Sequence, residues 1–332
     1  MSDYSEKKLR EVEILKKVFG NYSPMIQESE QPDFILTYNA VIKFGIEITE
    51  LYYDGTSARL KKAPYINQLL QEQKYWHKDD KKKVKVEEIT YFQKKLEYKP
   101  IKIPALFLPK YTILNYLIAL KHTIESKEKK LDKYSVDVSK YCMLIIYDCE
   151  GQFKDTSEEN IAKMLFSMGL VEIIRKSHFY EIYLVTNIDG EHKYIPLKAY
   201  VLLSDCHLFF DFIKECELKN KLCESCEHPL FGFAEVLKRR SSSKVLVGKV
   251  ENNEVIGNMV IYNNRYGLGM ILHADDNWGI GIFDTFPLRK NSEIGEIVLD
   301  GEKDFFDDTL FQKYEKKTKD KIASIGLNFQ IY

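Results

Sequence analysis

A run of seven uncharged residues, Tyr141-Cys-Met-Leu-Ile-Ile-Tyr147, constrains the fold of this chain more than any other feature. Its length suits a single strand, and an uninterrupted apolar run is typical of a central strand that is covered on both faces. Because such strands occur in layered proteins with helices on each side of the sheet, the run predicts an α/β core.

Helical and strand patterns surround this run. Apolar spacing predicts helices over 5–19, 65–77, 84–98, 112–134 and 158–175, and strands over 33–37, 40–50, 180–186 and 199–203. This order predicts a mixed central sheet flanked by helices over residues 1–210. Short β-like runs at 244–250, 258–262, 267–272 and 279–283 predict a smaller, mostly β accessory domain over 211–332, which begins with a cysteine-rich segment.

Composition excludes several classes of protein. A hydrophobic content of 45% is too high for a disordered chain. Uncharged apolar windows stay well below the length of a membrane span, so we expect no membrane partner. The charged N-terminus lacks an apolar signal segment, which favours the cytoplasm. The 6 cysteines favour reduced thiols or metal ligands over a disulfide framework.

The net charge of −1 conceals a strongly basic middle segment. Residues 51–140 carry 20 basic and 11 acidic side chains, whereas the flanking segments are both acidic. Lysine runs often form only solvated helix faces, but clustered lysines also bind phosphate backbones without sequence preference. The second interpretation predicts contacts with DNA from a group of lysines: Lys74, Lys78, Lys81, Lys82, Lys83 and Lys85.

Two acidic residues on neighbouring predicted strands carry the strongest chemical signal. Asp33 stands at the mouth of the first strand, and Glu47 interrupts the apolar second strand, where a buried carboxylate is costly unless it is paired or metal-bound. Alternate residues of a strand share a face, so Glu47 and Thr49 lie on one side and Glu50 on the other. Asp33 and Glu47 can therefore converge on one magnesium ion, whose bound water can attack phosphorus.

These motifs resemble those of the PD-(D/E)xK nuclease superfamily, the restriction-endonuclease-like fold, over roughly residues 5–205. The matching residues are Pro32-Asp33 and Gly45-Ile46-Glu47-Ile48-Thr49, preceded by a helix with Glu11 and Glu13. The resemblance implies an endonuclease that hydrolyses DNA with Mg²⁺ or Mn²⁺ held by Asp33 and Glu47. Glu11, at the edge of the apolar helix face, is the favoured third carboxylate, and a solvated helix glutamate is the alternative.

Thr49 departs from the superfamily pattern. The family has a lysine at this position, where it orients or activates the attacking water, and threonine cannot supply a cation. The resemblance then implies one of two outcomes. Either the site is slow or inactive, or a lysine from elsewhere substitutes, the candidates being Lys43, Lys61, Lys62 and Lys74.

A cysteine-rich stretch near the predicted domain boundary is a second candidate metal site. Zinc takes four nitrogen or sulfur ligands in a tetrahedral array, and one CxxC pair supplies two of them. The stretch offers four such ligands: Cys216, Cys223, Cys226 and His228. Reduced thiols in an interdomain loop are the alternative.

Three functions are consistent with these features. The first is a metal-dependent nuclease, by analogy one of restriction or antiviral defence, whose C-terminal domain binds substrate, a partner protein or a second copy of the chain in a homodimer. The second is a nuclease-fold module that lost activity with its lysine and binds nucleic acid or assembles. The third is a structural or interaction protein in which the acidic β domain dominates.

Overall fold

The computed structural model describes residues 3–20, 25–38, 42–91, 101–134, 141–153, 169–188 and 190–218, with shorter segments at 161, 164–165, 233, 236–237, 246–248, 260–262, 266–272, 278–284, 295–296 and 313–314. The chain divides into two compact units. We call residues 1–50 and 121–332 the core unit, and residues 51–120 the inserted unit.

The described part of the chain contains helices and strands with the following bounds. The helices are α1 (Asp3–Phe19), α2 (Gly55–Leu60), α3 (Ala63–Glu72), α4 (Lys78–Lys83), α5 (Ile113–Glu128), α6 (Leu170–Lys176) and α7 (Leu197–Leu218). The strands are β1 (Ile26–Glu28), β2 (Phe34–Tyr38), β3 (Ile42–Leu51), β4 (Lys85–Tyr91), β5 (Ile101–Phe107), β6 (Met143–Asp148), β7 (Glu181–Ile188), β8 (Glu191–Pro196), β9 (Leu246–Gly248), β10 (Val260–Tyr262), β11 (Tyr266–Leu272), β12 (Trp278–Asp284) and β13 (Gly295–Glu296).

A six-stranded mixed sheet forms the centre of the core unit. Its strands lie in the order β1-β2-β3-β6-β7-β8. The first three form an antiparallel meander, β6 and β7 are parallel, and β8 is antiparallel to β7. The predicted α/β core with a mixed sheet flanked by helices is therefore confirmed.

Apolar side chains from both helix and sheet fill the core of this unit. Residues 143–146 of β6 are all buried, as expected for a strand covered on both faces. Helix α1 contributes Ile14, Leu15 and Phe19 to the core, and α7 contributes Leu202 and Phe209. In the described part of the chain, no helix is both long enough and apolar enough to cross a membrane.

The secondary structure predicted from the sequence is wrong for two segments. Residues 85–91, within the predicted helix 84–98, form strand β4, because pairing with β5 gives its β-branched residues a partner strand. Residues 199–203, predicted as a strand, belong to helix α7. A short apolar run does not distinguish a strand from a buried helix, and α7 continues with buried Cys206, Phe209 and Ile213 at helical spacing.

The strands after residue 211 form a second sheet in the core unit. It is antiparallel, with the order β12-β11-β10-β9-β13. Tyr266 of β11 is buried among the core side chains, and its hydroxyl lies 3.3 Å from that of Tyr183 on β7. Residue 210, the last residue of the predicted first domain, lies inside α7.

The inserted unit has a small core of its own. Tyr65 and Leu69 of α3 pack with Val84, and Val86 and Leu106 of the β4–β5 pair cover them. Helix α3 ends at Gln73, which adopts a left-handed conformation with φ of 52°. The predicted helix 65–77 is therefore shorter, because the chain turns at this residue.

Candidate active site

Asp33 and Glu47 lie at adjacent positions of neighbouring strands. Phe34 pairs with Ile46, and Asp33 is the residue just before Phe34. The Oδ2 atom of Asp33 accepts a hydrogen bond from the backbone N–H of Ile48, at 2.8 Å. The antiparallel pairing of β2 and β3 thus brings together the two acids that the sequence singled out.

Strand alternation determines the side of the sheet on which Glu47 lies. Phe44, Ile46 and Ile48 point into the main apolar core, so Glu47 and Thr49 point to the opposite side. Glu47 is nevertheless only 6% exposed. A carboxylate buried to this degree requires partners on its own side of the sheet.

The partners of Glu47 come from the end of α5 and the turn that follows it. The Nζ atom of Lys127, in the last turn of α5, lies 2.5 Å from Oε1 of Glu47. The Tyr134 hydroxyl donates a hydrogen bond to Oε2, at 2.7 Å. Both carboxylate oxygens are therefore held by donors that lie more than 75 residues away in sequence.

Burial and the negative charge of Glu47 shift the pKa values of Asp33 and Tyr134. Burial, together with the negative charge of Glu47, raises the pKa of Asp33, and the hydrogen bond from Ile48 opposes the rise. Burial and the bond to Glu47 raise the pKa of Tyr134, so its hydroxyl keeps its proton and remains a donor. Two neighbouring carboxylates that repel each other form a site that a cation would stabilise.

Helix α1 adds a third carboxylate and two ammonium groups. Glu11 is 6% exposed, whereas Glu13 is exposed, so Glu11 is the glutamate of α1 that points inward. Lys7 Nζ lies 3.2 Å from Glu11 Oε1, and Lys8 Nζ donates to the backbone oxygen of Asp33, at 2.9 Å. The hydrogen bond to Glu11 raises the pKa of Lys7, and the charges of Asp33 and Glu47 contribute in the same direction.

A pocket of about 310 Å³ opens beside Asp33. It lies between the first turns of α1 and the loop that precedes β2, and polar or charged residues line it: Lys7, Lys8, Glu11, Ser29, Glu30 and Asp33. Its carboxylates and ammonium groups provide contacts for a ligand that combines a cation with an anion, such as a metal-bound phosphate.

The residues beside Asp33 suit magnesium better than a metal whose ligands must all come from the protein. Among the residues that the structure describes, no three or more His, Cys, Asp or Glu side chains are arranged to hold a metal. Magnesium, however, keeps several waters and binds through one or two carboxylates plus substrate phosphate. Asp33 and Glu47 supply that number of carboxylates.

The lysine beside Glu47 is not one of those proposed from the sequence. Lys43 is exposed and stands four residues before Glu47, about 13 Å along an extended strand. Lys61, Lys62 and Lys74 belong to the inserted unit. Thr49 is half-buried and lies on the same side of β3 as Glu47. Lys127 was missed, although the superfamily pattern includes a lysine-bearing helix after the second motif.

The predicted DNA-binding lysines are all exposed side chains of the inserted unit. Lys74 follows α3, Lys85 begins β4, and the others lie on α4: Lys78, Lys81, Lys82 and Lys83. Of this group, Lys83 also forms an ion pair with Asp54, at 2.7 Å. Their exposure leaves them accessible to a phosphate backbone.

Of the two acids of α4, Asp80 points inward. Asp80 is buried and accepts hydrogen bonds from both Arg59 Nε and Tyr65, at 2.8 and 2.6 Å, and from Thr56. Burial alone would raise the pKa of Asp80, but these bonds lower it to about 2. Helix α4 therefore presents mainly positive charge to solvent.

Only one of the four predicted zinc ligands can be placed. Cys216 is half-buried near the end of α7 and packs against the core. Cys223, Cys226 and His228 lie outside the described residues, so the zinc site stays a prediction.

Comparison with known proteins identifies no relative of this chain. The chain matches no protein-family model, and no curated protein or solved structure is significantly similar to it.

Proposed function

We propose that this protein is a metal-dependent nuclease of the PD-(D/E)xK type that hydrolyses DNA phosphodiester bonds. The observation that carries the proposal is the contact of Lys127 with Glu47, at 2.5 Å, next to Asp33. With Asp33 on the neighbouring strand, this pair makes up two carboxylates and one lysine, the kinds of side chain that the superfamily motif combines. The lysine comes from α5 instead of from position 49.

Each of these side chains has a role in phosphodiester hydrolysis. Asp33 and Glu47 hold a magnesium or manganese ion, which when bound supplies a water of lowered pKa and offsets phosphate charge. Lys127 places a positive charge at Glu47 and so takes the role of the superfamily lysine that orients the attacking water. Lys7 is 74% exposed at the pocket and provides an ammonium for a phosphate oxygen.

The order of elements supports the same proposal. Helix α1 precedes the antiparallel meander β1-β2-β3, and helix α5 then leads to β6, which lies beside β3 in the sheet. A helix, three strands, a second helix and a further strand make up the core expected of a restriction-endonuclease-like fold. Most of the inserted unit, residues 52–112, lies in sequence between β3 and α5.

A cleavage assay tests the proposal. Purified protein is incubated with supercoiled plasmid, linear duplex, single-stranded DNA and RNA, with Mg²⁺, Mn²⁺ or EDTA. We expect metal-dependent cleavage of DNA that Asp33→Asn and Glu47→Gln each abolish. Glu13→Gln, a change at an exposed glutamate of α1, serves as the matched control and should leave the rate unchanged. Wild-type protein that cleaves nothing, or E47Q protein that cleaves normally, would refute the nuclease function.

A binding module without activity is the second candidate. The observation that favours it is that both oxygens of Glu47 already accept hydrogen bonds from protein donors, as in a structural ion pair. In that case the protein binds DNA in a salt-sensitive manner with either metal present, but the substrate stays intact.

A further inference from the structure

The β4–β5 ribbon of the inserted unit has two different faces. Its strands pair antiparallel from Lys85 with Phe107 to Tyr91 with Ile101. Because side chains alternate along each strand, directly paired residues share a face. One face packs Val86 and Leu106 against the small core of the unit, so the opposite face points to solvent.

The outward face carries a row of large apolar side chains. Each of these is exposed by between 41% and 46%: Ile89, Ile101, Ile103 and Phe107. Ile89 and Ile103 are direct cross-strand partners, so they form one continuous patch. Lys85 and Glu87 lie on the same face and are also exposed. Large apolar side chains grouped in this way mark an interaction surface more often than an ordinary solvated surface.

The charge around the ribbon indicates which class of partner it fits. Helix α4, which directly precedes β4, exposes Lys81, Lys82 and Lys83, while Arg59 neutralises its buried Asp80. The inserted unit as a whole has 14 basic and 7 acidic side chains. This excess complements a polyanion, and it would repel the equally basic inserted unit of a second copy of the chain.

We propose that the outward face of the β4–β5 ribbon enters the major groove of double-stranded DNA while the lysines of α4 bind the phosphates. A two-stranded ribbon is one of the two elements that this groove, about 12 Å wide, admits. Apolar side chains contact thymine methyl groups, lysine binds guanine acceptors, and glutamate accepts from cytosine, so Ile103, Lys85 and Glu87 match the kinds of contact that read base edges. The inference rests on the proposed nuclease function and names duplex DNA as its substrate.

Fluorescence anisotropy with a labelled duplex and its single strand, at several KCl concentrations, tests this inference. The full-length protein carries Glu47→Gln throughout, which prevents cleavage during the measurement. Adding Ile89→Ser and Ile103→Ser should weaken duplex binding about tenfold and leave its salt dependence unchanged, because no charge is removed. Adding Lys81→Gln and Lys82→Gln should instead reduce the slope of log K against log salt by about 2.

Matched controls come from exposed residues of the core unit. Leu9→Ser removes an apolar side chain that is 57% exposed on α1, and Lys16→Gln with Lys176→Gln removes two exposed lysines. Neither control should change duplex affinity as strongly as its counterpart in the inserted unit. Circular dichroism and thermal unfolding verify that every variant is folded.

The outcomes separate this inference from the proposed function. Duplex affinity that is unchanged in I89S/I103S would overturn the inference, even if Glu47-dependent cleavage persists. Light scattering that shows a wild-type dimer and an I89S/I103S monomer with normal DNA affinity would also overturn it, because the ribbon would then bind a second copy. Ribbon-dependent duplex binding without any metal-dependent cleavage would refute the nuclease function and leave the duplex-binding role of the ribbon intact.

Discussion

The ammonium of Lys127 lies 2.5 Å from Oε1 of Glu47, although 80 residues separate them in sequence. The side chains of Lys127 and Glu47 are only 15% and 8% exposed, so the pair is shielded from water. Thr49, at the position where the superfamily motif has its lysine, cannot supply this charge. The α5 helix therefore provides the positive charge beside the carboxylate.

Loss of the Lys127 ammonium should slow cleavage strongly, although both carboxylates remain. We expect Lys127→Met to slow plasmid nicking by a factor of about 10² to 10⁴, the range typical of a lost acid–base or water-orienting group. Lys121→Met, on the same helix and 46% exposed, is the control. A K127M protein that nicks plasmid at the wild-type rate would show that Lys127 has no catalytic part.

The ion pair of Lys127 with Glu47 should also stabilise the fold, and the contributions of the two side chains should be coupled. Lys127→Met leaves a buried carboxylate without its ammonium and should lower the free energy of unfolding by about 3 kcal/mol. The double variant with Glu47→Gln should lose less than the sum of the two single changes, because no buried charge is left unpaired. Urea denaturation of the four proteins measures the coupling energy. Strictly additive losses would mean that the two side chains do not interact in solution.

Tyr134 should position Glu47 through its bond to Oε2. Tyr134→Phe removes only the hydroxyl, so we expect a loss of about 1–3 kcal/mol in stability, the cost of leaving a buried acceptor unsatisfied. Because Glu47 is then less restrained, plasmid nicking should slow, by about tenfold if misplacement raises the barrier by 1.4 kcal/mol. Tyr194→Phe, at a site that is 43% exposed, is the control. Equal effects of the two changes would argue against a specific role for Tyr134.

Asp80 should make the inserted unit sensitive to acid. Its pKa of about 2 lies below the ordinary value of 3.8, so the carboxylate contributes stability above pH 3.8 that is lost as the pH falls toward 2. Asp80→Asn removes this contribution. The difference between wild type and D80N in urea denaturation should be large near pH 7 and shrink below about pH 4. Tryptophan fluorescence measures it in proteins that also carry Trp278→Phe, so that only Trp76 of the inserted unit reports.

The neighbouring Asp79→Asn is the matched control, because the Asp79 side chain is 49% exposed. It should leave stability nearly unchanged at every pH. A D80N effect that is independent of pH would mean that the ionised form of Asp80 is not the stabilising form.

The spacing of apolar residues was sufficient to predict the helices and strands whose apolar positions are the ones that become buried. Helix α1, strands β2 and β3, and strand β6, buried at five of its six positions, were all predicted. Glu11, which the sequence places at the edge of the apolar face of α1, is buried, whereas Glu13 is exposed. The failures have a common cause. The residues of β4 and of α7 have patterns compatible with either a strand or a helix, and only pairing with β5 or packing in the core decides between them.

That Asp33 and Glu47 come together could be predicted from the sequence, because the register in which β2 and β3 pair follows from their alternating apolar side chains. The sequence also determined that Glu47 would be a carboxylate in an apolar strand, which must find partners. The identity of these partners, Lys127 and Tyr134, is visible only in the folded protein. The reason is physical: their contact depends on where the end of α5 packs against the sheet, and no local periodicity in either segment specifies that position.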